Sequence, residues 1–122
     1  MSLSISIIDT GVVLAGTARV ASSLGARMKG LLGPASIQAG SALVIRPCTG
    51  VHTFFMKYPI DVVFAARDGL VVAVCHRLRP WRMTAIHPHA YEVVELPAGA
   101  AKEAGVKEGN RIGYKEIETA GA

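Results

Sequence analysis

The sequence predicts a single, mainly β (α+β) domain over residues 1–122: an antiparallel, barrel-like or sandwiched sheet whose ends are closed by two short helices. Three observations predict it. The 122 residues are 51% hydrophobic and 18% charged, below the usual charged share of about 25%, and a chain of this size can bury a core without staples. Seven or eight short β-rich runs recur between Gly, Pro and Asp turns, the punctuation of an antiparallel sheet. Only two stretches carry helix spacing or helix end signals, and no repeat or linker divides the chain.

Leu3 to Ile8 reads as a strand, Asp9-Thr10-Gly11 as a turn and Val12 to Ala15 as the returning strand, which is hairpin chemistry. After a further extended piece, Ser22 or Ser23 can cap a helix whose Leu24, Met28, Leu31 and Leu32 fall on one face, since they follow the i, i+4, i+7, i+8 spacing. Gly33-Pro34 stops it,. Ala42 to Ile45, Val51 to Met56 and Ile60 to Ala66 are further strands, separated by Pro47 and Tyr58-Pro59,. Arg67-Asp68-Gly69 turns the chain into Leu70 to Leu78, so Ile60 to Leu78 is the clearest hairpin,. Tyr91 to Leu96 is a strand, Pro97 opens a short helix that Gly105 ends, and Glu108-Gly109-Asn110 turns into a last strand, Arg111 to Ile117,.

Residues 1–91 hold nine Lys/Arg against three Asp, and residues 92–122 hold four against six Glu. Within the basic part, His76 to His89 carries three arginines, three histidines and no acid, a positive and partly titratable loop suited to an anion. No apolar stretch is long enough to cross a membrane, no basic start precedes the apolar N-terminus as a leader requires, and two cysteines in so apolar a chain suit a reducing, cytoplasmic setting,.

The densest chemistry lies in Pro47 to Asp61. If Val51 to Met56 is a strand, His52, Phe54 and Met56 share one face and Thr53, Phe55 and Lys57 the other. Asp61 opens an apolar strand and must stay wet, cap a turn or meet a cation. Lys57, Arg27 and Arg46 are the nearest cations by sequence. Cys48 and His52 could form half a zinc site, or a nucleophile pair, but a small buried thiol and a backbone-bonded histidine are the favoured account of them. His87-Pro88-His89 could chelate a metal or be a solvated loop. With no second ligand pair of recognised spacing, no metal and no cofactor are expected. Arg77, Arg79, Trp81 and Arg82 mix guanidinium and ring as single-strand nucleic-acid binders do, though three arginines also suit a solvated loop edge.

Four stretches together resemble one family, domain of unknown function 192: Ala26-Arg27-Met28-Lys29-Gly30-Leu31-Leu32-Gly33, Val51 to Phe64 with its His-Thr-Phe-Phe-Met and Pro-Ile-Asp strings, Arg79-Pro80-Trp81-Arg82, and Val94-Glu95-Leu96-Pro97-Ala98-Gly99. The resemblance implies a small, mainly antiparallel β fold with short helices and no established activity. Its motif residues fall here on Arg27, His52, Thr53, Phe54, Met56, Asp61, Glu95 and Gly99. Asp61 and Glu95 could then meet Arg27 in one polar pocket, as a site or as a structural ion-pair cluster.

Three functions follow as expectations. The first is a binding or accessory module whose groove, lined by His52, Thr53, Phe54 and Met56 and edged by Arg27, Asp61 and Glu95, takes a small molecule or a peptide. The second is a hydrolase using Asp61 and Glu95 as acid and base, with His52 assisting. The third is nucleic-acid binding through Arg77, Arg79, Trp81 and Arg82, the least favoured partner of the three. No membrane partner is expected.

Overall fold

A computed structural model of the chain describes residues 2–21 and 37–117. The helix predicted from Ser22 or Ser23, its stop at Gly33-Pro34, and candidate residue Arg27 lie outside the described residues. Seven strands and one helix are described: β1 (Ser2–Ile7), β2 (Val13–Ala21), β3 (Ser41–Ile45), β4 (Ile60–Ala65), β5 (Val71–Leu78), β6 (Glu92–Pro97), α1 (Ala100–Ala104) and β7 (Ile112–Ile117). They form one sheet in the order β5-β4-β6-β3-β2-β1-β7, so the chain is mostly β, as its turn spacing predicts.

Two details refine the expected antiparallel, barrel-like or sandwiched sheet. β2 and β3 pair in parallel, because a parallel pair needs a crossover of a dozen or more residues and the chain between Ala21 and Ser41 supplies that length. The sheet also does not close. Its edges meet at one corner, where Val71 donates to the Asn110 carbonyl at 2.8 Å and Ile112 donates to the Gly69 carbonyl at 2.9 Å. Gly69 permits that approach, because its φ is +89° and a Cβ there would lie 2.3 Å from the Ile112 carbonyl oxygen,. Beyond this corner no described strand pairs with the outer edge of β5.

Both faces of the sheet are covered, which explains why β4 is buried along its whole length and reads as a near-continuous apolar run. On one face, here the helix face, Ile5, Ile7, Val44, Val63 and Leu96 pack with Ala101 of α1. On the other, the loop face, Leu43, Ile60, Val62, Phe64 and Val93 pack under Met56 and Tyr58. Each such large side chain contributes about 1.5–3 kcal/mol on burial. The second helix begins at Ala100 and not at Pro97, which ends β6, because Gly99 turns the chain at φ +93°. Gly105 ends it as predicted, in left-handed conformation,.

Val51 to Met56, expected as a strand, is a loop. Its one ladder contact is an isolated bridge from His52 to Met83, and Met56 donates to the Thr53 carbonyl at 3.2 Å to close a turn in which Phe55 holds φ +70°. The expected alternation of faces fails with it: Thr53 and Met56 are buried while Phe55 is exposed. Among the described residues no helix is long and apolar enough to cross a membrane.

Candidate functional site

Asp61 is fully buried, and its carboxylate is used by the backbone. Oδ1 accepts the Arg77 N–H at 2.8 Å, while Oδ2 accepts the N–H groups of Gly99 and Ala101, both at 2.9 Å. A side chain from β4 thereby supplies the N-terminal cap that α1 lacks locally,, and it ties β5 to the same point. Three charge-assisted bonds are the compensation that a buried carboxylate requires. The Arg77 guanidinium lies over Gly99, where a Cβ would stand 3.0 Å from Nη2.

Glu95 is also fully buried, but it does not share a pocket with Asp61. Asp61 faces Leu96 across the β4–β6 ladder, and Glu95 faces Val62. Directly opposed residues of an antiparallel pair share a face. Leu96 belongs to the helix-face core and Val62 to the loop-face core, so the two carboxylates point to opposite sides of the sheet. The acid–base pair expected of Asp61 and Glu95 is therefore not assembled.

The loop face does bring His52, Thr53 and Phe54 together, with Trp81 and without Arg77. Thr53, fully buried, holds the turn at 79–82. Its hydroxyl donates to the Arg79 carbonyl and accepts the Arg82 N–H at 3.0 Å, its N–H donates to the Arg82 carbonyl at 2.8 Å, and its carbonyl accepts the Trp81 N–H at 2.9 Å. Rings stack outward from this knot. His52 lies 4.7 Å from Phe54, Phe54 6.0 Å from Trp81, and Phe55 4.8 Å from Trp81, all within the range of favourable ring pairs.

The outer members of this ledge stay in water: Phe55 is 61% exposed, Trp81 55% and Met83 70%, with Ile86 exposed nearby. Phe55 and Trp81 both hold positive φ, +70° and +62°, a conformation that costs a bulky residue on the order of 1–3 kcal/mol. No Asp or Glu occurs from Thr10 to Ile60 or from Gly69 to Tyr91, so the exposed Lys57, Arg79 and Arg82, next to Phe55 and Trp81 along the chain, make a basic rim with no acidic neighbour in their own loops. Sequence reasoning missed Phe55, Met83 and Ile86. The adjacent pair Phe54-Phe55 was the available signal, because a one-sided strand cannot bury both.

Met83 of the ledge also lines a groove of about 630 Å³ at the edge strand β5, together with Ala73, Cys75, His87, Val106, Lys107 and Glu108. Burial pushes the Cys75 thiol up, reinforced by the charge of Asp61, which keeps it protonated and poorly nucleophilic at neutral pH. The Cys48 thiol donates to the Gly50 carbonyl at 3.1 Å, and His52 Nδ1 accepts the Phe54 N–H at 3.3 Å. His87 packs 4.4 Å from the Phe64 ring while His89 is exposed. Among the described residues no group of three or more His, Cys, Asp or Glu side chains comes together to hold a metal.

Residues 6–114 match the model of the family described as Uncharacterized ACR, domain of unknown function 192. A UPF0127 protein of Pyrococcus abyssi is 39% identical over 62 residues, a match spanning 51% of this chain and 52% of that protein. A UPF0127 protein of Thermococcus sibiricus is 28% identical over 112 residues, covering 88% of this chain and 71% of that one. Two crystal structures share the fold. A protein of unknown function from Novosphingobium aromaticivorans is 16% identical with a TM-score of 0.76, covering 93% of this chain and 84% of its own. A candidate transcription regulator from Sinorhizobium meliloti is 20% identical with a TM-score of 0.77, covering 93% and 92%.

Proposed function

The chain belongs to the domain of unknown function 192 family, and on that premise we propose that it is a peptide-binding accessory module. Its partner is an extended segment that alternates acidic and apolar residues. The observation that carries this reading is the continuity of the exposed Phe55–Trp81–Met83 ledge with the groove along the unpaired β5 edge. An open edge offers main-chain hydrogen bonds to an added strand, and flanking apolar surface takes its alternate side chains. The basic rim selects acidic residues at the remaining positions and speeds their encounter.

The hydrolase reading is less well supported, since the Asp61 oxygens are occupied by three backbone donors and Glu95 faces the other way. A nucleic-acid reading keeps Arg79, Trp81 and Arg82 but needs open ring faces for bases. Here His52, Phe54 and Trp81 stack on one another and Phe55 tilts against Trp81, and Met83 and Ile86 add aliphatic surface that bases do not use.

Trp81 is the sole tryptophan, so its emission reports on the ledge directly. A synthetic peptide alternating glutamate with leucine is expected to shift that emission saturably, and less so as salt is added. The lysine–leucine counterpart is expected to leave it unchanged. Equal binding of the two peptides, tighter binding of an oligothymidylate, or no saturable shift with either peptide would each overturn the reading.

A further inference from the structure

At the other end of β4 from the ledge, Arg46, Arg67, Tyr91, Glu92 and Tyr114 line a cleft of about 260 Å³ beside the β4–β5 turn, and we propose that it binds a small carboxylate monoanion. Neither the ledge nor the β5 edge contributes to it.

The cleft is built around two guanidinium groups, each laid on an aromatic ring. Arg46 stands 5.2 Å from the Tyr114 centroid and Arg67 4.2 Å from the Tyr91 centroid, within cation–π reach. A guanidinium that rests on a ring keeps its in-plane N–H fork available, and that fork matches a carboxylate. The floor is Glu92, 4% exposed, whose Oε2 accepts the Tyr114 hydroxyl and lies 3.5 Å from Arg46 Nε. That Nε is buried and makes no hydrogen bond among the described residues, so the Arg46 head is held there by charge and by the ring and not locked by a directional bond at this atom.

The charge balance selects the ligand. Glu92 offsets Arg46, and Asp68 on the rim is already paired with Arg111 at 2.9 Å, which leaves the charge of Arg67 to be matched. A single negative charge matches it, whereas a phosphate dianion would leave its second negative charge without a cation in the cleft. Burial, together with the Glu92 charge, pushes the Tyr114 phenol far up, so the cleft gains no second negative charge in the neutral range. The volume is below that of sites for drug-sized ligands and suits a short organic acid.

The experiment follows amide shifts of Gly69, Ile112 and Tyr114 by NMR during titration of the full chain with sodium acetate, sodium benzoate or inorganic phosphate at fixed ionic strength. Saturable shifts with the two carboxylates and weaker ones with phosphate are expected. Arg67→Met should lower the carboxylate affinity about tenfold or more, equivalent to 1.4 kcal/mol. Arg67 is exposed, so this variant keeps the fold, and an unchanged spectrum elsewhere checks that it has. Phosphate binding more tightly than both acids, shifts that grow linearly without saturation, or an Arg67→Met variant that binds as the parent does would overturn the proposal.

Discussion

The helix face and the loop face treat their polar and apolar groups in opposite ways. On the helix face Asp61 is buried, its charge is answered by three backbone donors, and the apolar residues around it are covered by α1. On the loop face Thr53 is equally well satisfied, yet the residues it positions leave Phe55, Trp81 and Met83 in water on strained backbone. Stability alone does not favour that arrangement, because the ledge carries strain and gains little burial. Asp61 and Thr53 build scaffold, and the exposed rings are what the scaffold holds out.

If that division is right, removing a scaffold group should cost stability and removing a ledge group should cost binding. Asp61→Ala carries the largest expected effect. It strands the N–H groups of Arg77, Gly99 and Ala101, and loss of a buried, hydrogen-bonded charge costs about 3 kcal/mol or more. Urea unfolding of parent and variant measures it. A loss below about 1 kcal/mol would show that water reaches these donors and would reopen Asp61 as a reactive group. Thr53→Val keeps the shape but removes the hydroxyl that bridges Arg79 and Arg82. A loss of about 1–3 kcal/mol is expected, together with a changed Trp81 emission because the 79–82 turn loses its anchor.

The cleft at Tyr114 sharpens the comparison through pH. Its phenol is held above the ordinary value by burial and by Glu92, so the folded chain keeps the proton longer than the unfolded chain does. The stabilisation is complete below the unfolded phenol value of about 10. Above it the unfolded chain releases the proton first, and stability falls by about 1.4 kcal/mol per pH unit until the folded phenol ionises. Tyr114→Phe should remove this alkaline slope while costing about 1 kcal/mol at neutral pH for the lost bond to Glu92. Urea midpoints measured from neutral pH to above the phenol range test it, and an unchanged slope would show that Tyr114 is not the group responsible.

Much of the fold was legible in sequence because strands alternate and turns carry Gly, Pro and Asp. The β4–β5 hairpin and the Gly105 helix stop fell within a residue or two of their places. The site was less legible for reasons of register and loop geometry. Asp61 and Glu95 both read as acids in apolar strands, and only the pairing of Asp61 with Leu96 and of Val62 with Glu95 separates them by a sheet thickness, a one-residue distinction that reverses the face. Val51 to Met56 has strand composition, yet Thr53 recruits the 79–82 turn across 26 residues, a contact no local pattern encodes. Glu92, Arg46 and Tyr114 come from three separate elements, and an acid beginning an apolar run was their one sequence signal.

The smallest expected change in stability comes from Phe55→Gly, and it tests the ledge most directly. Phe55 is 61% exposed, so the variant loses little burial, mainly its contact with Trp81 at 4.8 Å, a pair worth about 0.5–1.5 kcal/mol. Against that loss, glycine occupies φ +70° without the about 1–2 kcal/mol that a side chain costs there, although its unfolded state gains about 0.5–1 kcal/mol of entropy. The terms nearly cancel, and the unfolding free energy from urea titration should stay within about 1 kcal/mol of the parent. Binding of the glutamate–leucine peptide should fall about tenfold, as expected where an aromatic anchor is lost. Val13→Ser, which removes an exposed apolar side chain from β2, should leave that binding unchanged. A Phe55→Gly variant that unfolds readily while binding the peptide as the parent does would place Phe55 with Asp61 and Thr53 in the scaffold, and the contrast between the two faces would fail.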